Sequence, residues 1–317
     1  MNILVLSAGR RVSLIRGFKE ALETQTGSVF AADMCPEMSA ACHVADMFFQ
    51  VPHCQSSEFI EELIRLCQKN KISLIIPTID TELFILSSAR ERFSEIGVEV
   101  LVSDQEIIKI CRDKRLTAEF FESIDLNTPK VYKKDEMQFP VLVKPYDGSL
   151  SAGVILVSKP SQLTQDIMDN KKNMFCQYID PTVHDEFTVD MYFDRSGVLQ
   201  CVVPRKRMEV RGGEVSKAIT IKNKIIEKLF ECFESVEGIR GCINLQLFMH
   251  QKTEDFWCIE INPRFGGGYP LTRLAGATFE QWIVDEYFNG KQISKCSNWK
   301  KNLIMLRYDD EVLVDGN

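Results

Sequence analysis

The sequence predicts an α/β domain with a parallel sheet at the N-terminus, followed by α+β lobes that are rich in antiparallel strands. Through the first hundred residues, short apolar runs alternate with amphipathic helical patterns. This strand–helix–strand alternation is typical of a parallel sheet with helices on both faces. After Pro129 the pattern changes to closely spaced apolar strands with one helical segment among them. Because no Pro- or Ser-rich linker separates the two parts, we expect the lobes to pack closely.

The N-terminal elements follow from their apolar periodicity. The expected strands are residues 2–6, 29–32, 73–76 and 98–102, and the expected helices are residues 12–23, 58–69 and 81–93. The turn after the first strand, Ser7-Ala8-Gly9, has one glycine where a dinucleotide-binding fingerprint needs three. Asp33 ends the second strand, where nicotinamide-dependent enzymes place a ribose-binding acid. The missing glycines nevertheless argue against a dehydrogenase.

The remaining residues predict a larger second domain. Its expected strands are residues 141–144, 153–157, 187–193, 198–203, 242–250 and 256–262, and helices are expected from Asp113 and over residues 220–235. We therefore expect a first domain over residues 1–103 and a second domain over residues 104–317. The second domain is expected to divide into a smaller lobe, residues 104–180, and a larger lobe, residues 181–317.

Composition narrows the partners and the cellular location. With a formal net charge of −7 over 317 residues, the chain lacks the broad positive field that nucleic acids and anionic membranes attract. No apolar stretch approaches the roughly 18 residues that span a bilayer, and the run from Met1 to Leu6 is too short for a signal peptide. The eleven cysteines include no CxxC pair, which fits a reducing compartment. We expect a cytoplasmic protein with no nucleic-acid or membrane partner.

Two strands near the C-terminus carry the strongest chemical signal. Side chains alternate faces along a strand, so Glu260 and Asn262 share one face while Ile259 and Ile261 are buried on the other. The strand 242–250 repeats this pattern and presents Gln246 with its polar residues. If the two strands are neighbours, these three side chains offer the oxygen ligands that Mg²⁺ prefers. The alternative is a polar sheet face that simply contacts water.

Basic residues elsewhere suggest phosphate contacts. Lys144 ends an apolar strand, where its burial is costly unless an anion meets it, and the loop 147–153 after it contains two glycines that allow backbone N–H groups to surround a phosphate. Lys114 lies in the first turn of a predicted helix, a position that favours anions. A hairpin turn and a solvated helix start are the structural alternatives.

Two further groups of charged residues are noted. Glu186, Thr188 and Asp190 share one face of a predicted strand, either to bind sugar hydroxyls or to face water. The run 205–207 and Arg211 concentrate positive charge beside a glycine pair, which suits a carboxylate substrate or a closing lid. Such runs are also common on solvated faces.

The order of these signals resembles the ATP-grasp superfamily, and within it the single-module relatives of carbamoyl phosphate synthase large subunits. The resemblance runs from the N-terminal lobe to about Ala277, and Glu260-Ile261-Asn262-Pro263-Arg264 is its most specific part. It implies a pre-ATP-grasp, Rossmann-like domain over residues 1–103. It also implies that residues 104–180 cover the nucleotide and that residues 181–317 bind metal and substrate.

The resemblance further implies a role for each motif residue. The residues expected to contact ATP, through phosphates, adenine or ribose, are Lys114, Lys144, Gly148, Ser149, Ser151, Gly153, Gln177, Tyr178, Ile179 and Glu186. The expected ligands of Mg²⁺, with Mn²⁺ as an alternative ion, are Gln246, Glu260 and Asn262. Arg264, Lys144 and Arg211 are expected to contact the reacting groups, with Arg264 on the transferred phosphoryl.

These implications predict an ATP- and Mg²⁺-dependent ligase that activates a small-molecule carboxylate as an acyl phosphate for attack by an amine. Two alternatives stay open: a bicarbonate-activating module of the carbamoyl phosphate synthase type, and a non-catalytic nucleotide-binding regulatory protein. The first alternative is weakened because the full-length synthases hold two modules, whereas this chain has one Glu-x-Asn-Pro-Arg motif. Relatives also suggest a homodimer through the N-terminal lobe.

Overall fold

A computed structural model describes residues 1–148 and 152–316. The N-terminal part contains a parallel sheet in the order β3-β2-β1-β4-β5. Its strands are β1 Asn2–Leu6, β2 Ser28–Asp33, β3 Met47–Gln50, β4 Ile72–Ile76 and β5 Glu99–Val100. Its helices are α1 Val12–Ala21, α2 Ala40–Val44, α3 Phe59–Asn70, α4 Asp80–Ser88 and α5 Arg90–Glu95. The connections leave the sheet in opposite directions from β1 and β4, so the carboxyl ends of these two strands border a crevice.

The middle part contains a small antiparallel sheet in the order β6-β9-β7-β8. Its strands are β6 Val131–Tyr132, β7 Val141–Pro145, β8 Ile155–Val157 and β9 Asn173–Gln177. The helices of this part are α6 Gln105–Arg112, α7 Lys114–Ser123 and α8 Gln165–Asp169. A separate apolar cluster that includes Val141, Val143 and Phe175 holds this sheet together.

The C-terminal part contains a six-stranded antiparallel sheet in the order β14-β13-β10-β11-β12-β15. Its strands are β10 His184–Phe193, β11 Leu199–Arg211, β12 Glu214–Thr220, β13 Gly241–His250, β14 Phe256–Asn262 and β15 Ile304–Leu306. Its helices are α9 Ile225–Cys232, α10 Tyr269–Leu274 and α11 Phe279–Asn289. One face of the sheet is apolar and packs against helices in a core that includes Val189, Leu245 and Ile261. The opposite face carries polar side chains.

The predicted fold class is confirmed, whereas several element boundaries differ. The helix expected over residues 220–235 begins only at Ile225, because residues 214–220 pair with β11 as a strand. The helix expected over residues 81–93 is divided at Ala89 into α4 and α5. The domain boundaries at residues 103 and 180 stay predictions. Within residues 1–148 and 152–316, no helix has the length and apolar character needed to cross a membrane.

Candidate active site

Two neighbouring strands of the large sheet bring the three predicted metal ligands together. Gln246 on β13 lies directly opposite Glu260 on β14, and Asn262 lies opposite Asn244. Because residues two apart on a strand share a face, Gln246, Glu260 and Asn262 project from the same side of the sheet. We call these three residues the oxygen row. Asn262 Nδ2 donates to Glu260 Oε1 at 3.1 Å, so these two members of the row are already hydrogen-bonded.

The oxygen row contains one carboxylate and two amides, the hard oxygen ligands that suit Mg²⁺ when phosphate and water oxygens complete its coordination. Elsewhere in the described ranges, no three His, Cys, Asp or Glu side chains converge as a metal site would require. The ligand types therefore fit Mg²⁺ and do not fit a zinc centre, which uses histidine and cysteine.

Two lysines approach the oxygen row from other elements. Lys114, the first residue of α7, places Nζ 3.5 Å from Glu260 Oε2 and donates to the Gly148 carbonyl at 2.5 Å. Burial lowers the pKa of Lys144 on β7, and repulsion from Lys114 lowers it further. Two ammonium groups thus lie beside one carboxylate. This leaves local positive charge that a phosphate could neutralise.

Local capping explains why Lys114 points into the site. The Asp113 carboxylate caps α7 by accepting from the Arg115 backbone N–H at 2.9 Å and from Arg115 Nη2 at 2.6 Å. Arg115 is thereby held against its neighbour and stacks 3.8 Å from the Tyr146 ring centroid. Lys114 is left as the cation of this helix start that reaches the oxygen row.

A buried ion pair anchors the same face of the sheet. Asp190 on β10 accepts from Arg205 Nε at 2.9 Å and Arg205 Nη2 at 3.0 Å, and neither side chain contacts solvent appreciably. Its carboxylate also accepts from Asn244 Nδ2 at 2.6 Å and from Thr272 Oγ1 at 2.5 Å. Asn244 lies opposite Asn262, so this network sits directly beside the oxygen row. The sequence indicated the polar face but gave no sign that Arg205 would be buried in it.

The positive run 205–207 lies within β11, and each of its three residues forms an ion pair. Arg205 pairs with Asp190, Lys206 Nζ lies 2.6 Å from Asp185 Oδ2, and Arg207 pairs with Glu186. Each pair joins β11 to β10, because the two strands are antiparallel neighbours. All three charges are thus matched across the sheet, and a substrate-binding or lid role for this run stays a prediction.

The residues predicted to contact adenine and ribose lie at the end of β9 and the start of β10. Gln177 Oε1 accepts from the Lys130 backbone N–H at 3.3 Å, Tyr178 is half-buried and Ile179 is buried. Burial raises the pKa of Glu186, although its partner Arg207 opposes this shift. Arg207 Nε is buried and has no hydrogen-bond partner within the described residues. Their proposed nucleotide contacts stay predictions.

The predicted phosphate-covering loop is described only at its ends. Gly148 follows β7 in a turn, and Gly153 adopts a φ of +74° before β8. A side chain at this positive φ would be strained, which explains the glycine. Ser149 and Ser151 lie outside the described residues.

Arg264 links the oxygen row to the N-terminal sheet. Its Nη2 donates to Asp80 Oδ2 at 2.8 Å and to Asn262 Oδ1 at 3.2 Å. Asp80 begins α4, just beyond the carboxyl end of β4. The crevice of the parallel sheet and the polar face of the large sheet therefore meet at one arginine.

Arg211 is a predicted site residue that lies apart from the oxygen row and its lysines. It ends β11 in the hairpin with β12, is exposed, and pairs with Asp309 Oδ1 at 2.5 Å. Its hairpin partner Glu214 faces inward instead, where Arg10 lies 3.1 Å and Arg307 2.9 Å from its carboxylate. The sequence analysis did not single out Glu214, although it directly follows the glycine pair beside Arg211.

Comparison with known proteins gives matches over most of the chain. Residues 3–101 match the family model described as PylC-like, N-terminal domain. Residues 174–310 match the model described as ATP-grasp in the biosynthetic pathway with Ter operon. The carbamoyl phosphate synthase large chain of Campylobacter jejuni is 22% identical over 247 residues, which are 68% of this chain and 22% of that protein. The chain thus spans about a quarter of the length of such relatives.

Solved structures share the architecture at low sequence identity. A biotin carboxylase–beta-gamma-ATP complex from Campylobacter jejuni has a TM-score of 0.75 and 14% identity, covering 96% of this chain and 74% of that chain. An L-amino acid ligase from Bacillus licheniformis has a TM-score of 0.66 and 16% identity, and the match covers 90% of this chain and 73% of that chain. Likeness at these identities establishes the fold alone. With its PylC-like N-terminal domain and its ATP-grasp region, the chain belongs to the ATP-grasp superfamily and is related to carbamoyl phosphate synthase large chains.

Proposed function

We propose that this protein is an ATP- and Mg²⁺-dependent ligase that activates a carboxylate as an acyl phosphate and transfers the acyl group to an amine. The observation that carries the proposal is the oxygen row facing Lys114 and Lys144, with Arg264 at its end. The solved relatives add support, since one is an ATP complex of a carboxylase and another is an amino acid ligase.

The proposed chemistry follows from charge. A carboxylate that attacks the γ-phosphate of ATP approaches another anion, so the phosphates must first be neutralised. Lys114 and Lys144 supply two positive charges for this purpose, and Arg264 can donate to the transferred phosphoryl group. Bound Mg²⁺, held by the oxygen row, would neutralise further phosphate charge.

Bond changes in the proposed reaction balance in two steps. A carboxylate oxygen bonds to the γ-phosphorus and ADP leaves. The amine nitrogen then bonds to the acyl carbon and loses a proton, and the bond between that carbon and the former carboxylate oxygen breaks, so that phosphate leaves with this oxygen. Arg264 lies beside the crevice from which a substrate carboxylate would enter, so it could also stabilise the charge on the carbonyl oxygen as the amine adds.

Oxygen transfer provides the test. With an ¹⁸O-labelled carboxylate identified by screening small molecules for ADP release, one label is expected in the phosphate product. A dehydrogenase would release no ADP, and a nucleotide-binding regulatory protein would bind ATP without turnover. A bicarbonate-activating module would release ADP with bicarbonate in place of an organic carboxylate. Release of unlabelled phosphate in the presence of both substrates would contradict the acyl phosphate.

Variants of two site residues test the assignment. Glu260→Gln and Lys144→Met are each expected to lower turnover by at least the order of 10²–10³-fold, the usual loss for one preorganised charge contact. Exposed Glu234→Gln and Lys252→Met serve as matched controls and are expected to retain normal turnover. Circular dichroism and the thermal midpoint establish that each variant is folded. Near-normal turnover of Glu260→Gln or Lys144→Met would remove that residue from the mechanism.

A further inference from the structure

The crevice of the N-terminal sheet contains an arginine that the proposed chemistry has not yet used. The loop Ser7-Ala8-Gly9-Arg10-Arg11 follows β1, and Arg11 immediately precedes α1. Gly9 has a φ of +47° and donates its N–H to Asp33 Oδ2 at 2.9 Å. The tight turn thereby directs Arg11 across the crevice, where Nη2 donates to the Thr78 carbonyl beyond β4 at 3.1 Å.

Arg11 lies in an unfavourable place for a positive charge. Burial and, to a smaller extent, repulsion from Arg264 lower its pKa to about 10, against the attraction of nearby carboxylates. Arg264 is itself half-buried, and its Nε has no hydrogen-bond partner within the described residues. Two guanidinium groups thus lie in a confined space, and among the described residues at least one of their N–H groups has no hydrogen-bond acceptor.

The carboxylates around Arg11 are already engaged. Glu214 pairs with Arg10 and Arg307, and Asp80 pairs with Arg264. None of the described carboxylates forms an ion pair with Arg11.

Glu82 does not supply the missing partner. It accepts from Ser7 Oγ at 2.6 Å and from the Thr78 N–H at 2.7 Å, while burial raises its pKa to about 7. Near neutral pH this carboxyl group is therefore only partly ionised.

The nearest helix adds to the positive potential. α1 begins at Val12 and runs for ten residues, and its first turn contains no acidic residue. The N-terminus of a helix carries partial positive charge that favours anions. An anion in this crevice would therefore gain from Arg11, Arg264 and the helix together.

We propose that Arg11 and Arg264 form a carboxylate subsite in which the N-terminal domain holds the substrate carboxylate beside the oxygen row. This proposal rests on the proposed ligase function and names the residues that would orient its substrate. Arg264 contacts Asn262 of the oxygen row, whereas Arg11 approaches from the opposite domain. A carboxylate between them could accept hydrogen bonds from both guanidinium groups and would therefore be fixed from both sides.

Anion titration of the intact chain tests the subsite. Sodium bicarbonate, acetate and succinate are titrated at constant ionic strength with Mg²⁺ and a non-hydrolysable ATP analogue, and thermal stabilisation is measured. At least one of these anions is expected to stabilise the wild-type protein saturably. Arg11→Gln is expected to weaken its apparent affinity by about ten- to a hundredfold, the loss of a hydrogen bond to a charged group. Arg11→Lys, which keeps the charge without the planar fork, is expected to retain part of the affinity.

Controls separate this inference from the ligase proposal. Arg16→Gln alters an exposed arginine of the same helix and is expected to bind the anion as the wild type does. Calorimetry with ADP is expected to show unchanged nucleotide affinity in Arg11→Gln, which also establishes that the variant folds. If only bicarbonate gives saturable stabilisation, the subsite binds an inorganic carboxylate. If acetate or succinate gives it, the subsite binds an organic carboxylate.

Two results overturn the subsite: no saturable anion effect in the wild type, or equal anion affinity in Arg11→Gln. If the wild type also turns over with a labelled carboxylate, only the subsite fails. If Arg11-dependent anion binding occurs without any carboxylate-dependent ADP release, only the ligase proposal fails.

Discussion

Replacement of Asp190 by asparagine is expected to destabilise the large sheet severely. The carboxylate accepts four hydrogen bonds from three side chains, two of them from Arg205, and both members of this ion pair are almost completely buried. Asparagine keeps the shape but removes the charge, so the Arg205 guanidinium is left buried without compensation. Breaking a buried pair from one side costs about 3–5 kcal/mol.

This free energy corresponds to a large shift in the thermal midpoint. About 1 kcal/mol lowers the midpoint by roughly 2–4 °C in domains of 150–250 residues, so a decrease of roughly 6–20 °C is expected. Tryptophan fluorescence is a suitable probe, because Trp257, Trp282 and Trp299 all lie in the C-terminal part. Their signal therefore follows the unfolding of the sheet that contains the substitution.

Two controls make the prediction specific. Glu209→Gln removes an ion pair with Lys217 whose side chains are about half exposed, and such a pair contributes at most about 1 kcal/mol. The double variant Asp190→Asn/Arg205→Met removes both charges and is expected to be more stable than Asp190→Asn. A midpoint for Asp190→Asn within about 2 °C of the wild type would refute the reasoning.

Three further predictions concern titration, packing and the metal ion. Burial raises the pKa of Glu82 from 4.5 to about 7, so the folded state retains a proton that the unfolded state releases. As the pH rises from about 5 to 7, the free energy of unfolding of the wild type should therefore fall by up to about 3 kcal/mol relative to that of Glu82→Gln, as measured by denaturant unfolding. Gly268→Ala would place Cβ 2.2 Å from Arg205 Nη1. It is expected to lower the free energy of unfolding by about 1–3 kcal/mol. Gly316→Ala, whose Cβ would meet open space, should leave the free energy of unfolding unchanged in the same assay. Glu260→Gln is expected to raise the Mg²⁺ concentration required for half-maximal nucleotide binding, measured by calorimetry; an unchanged concentration would exclude Glu260 as a ligand.

Side-chain alternation was sufficient to predict which face carries the oxygen row. Glu260 and Asn262 must share a face of any strand that buries Ile261, and the same rule applies to Gln246 between Leu245 and Leu247. Their register could not be predicted in the same way. The pairing of Gln246 with Glu260 depends on the length and conformation of the connection between β13 and β14, which periodicity does not specify.

The function of charged runs was harder to infer. Arg205 looks like part of a solvated run in the sequence, yet it is buried because β11 pairs with β10 and places it beside Asp190. The register between β11 and β10 determines that Asp190 is the partner of Arg205. The crevice arginine Arg11 was missed for a related reason, since its neighbours Thr78 and Arg264 come from distant parts of the chain.

The single carboxylate of the oxygen row has a consequence for the order of ligand entry. In the free protein the Lys114 ammonium is the counter-ion of Glu260, and Asn262 also donates to the same carboxylate. A divalent cation arriving alone would have to displace a lysine and would gain only one formal negative charge. A nucleotide offers Lys114 its phosphates and brings the cation already chelated, so metal and triphosphate are expected to enter as one species.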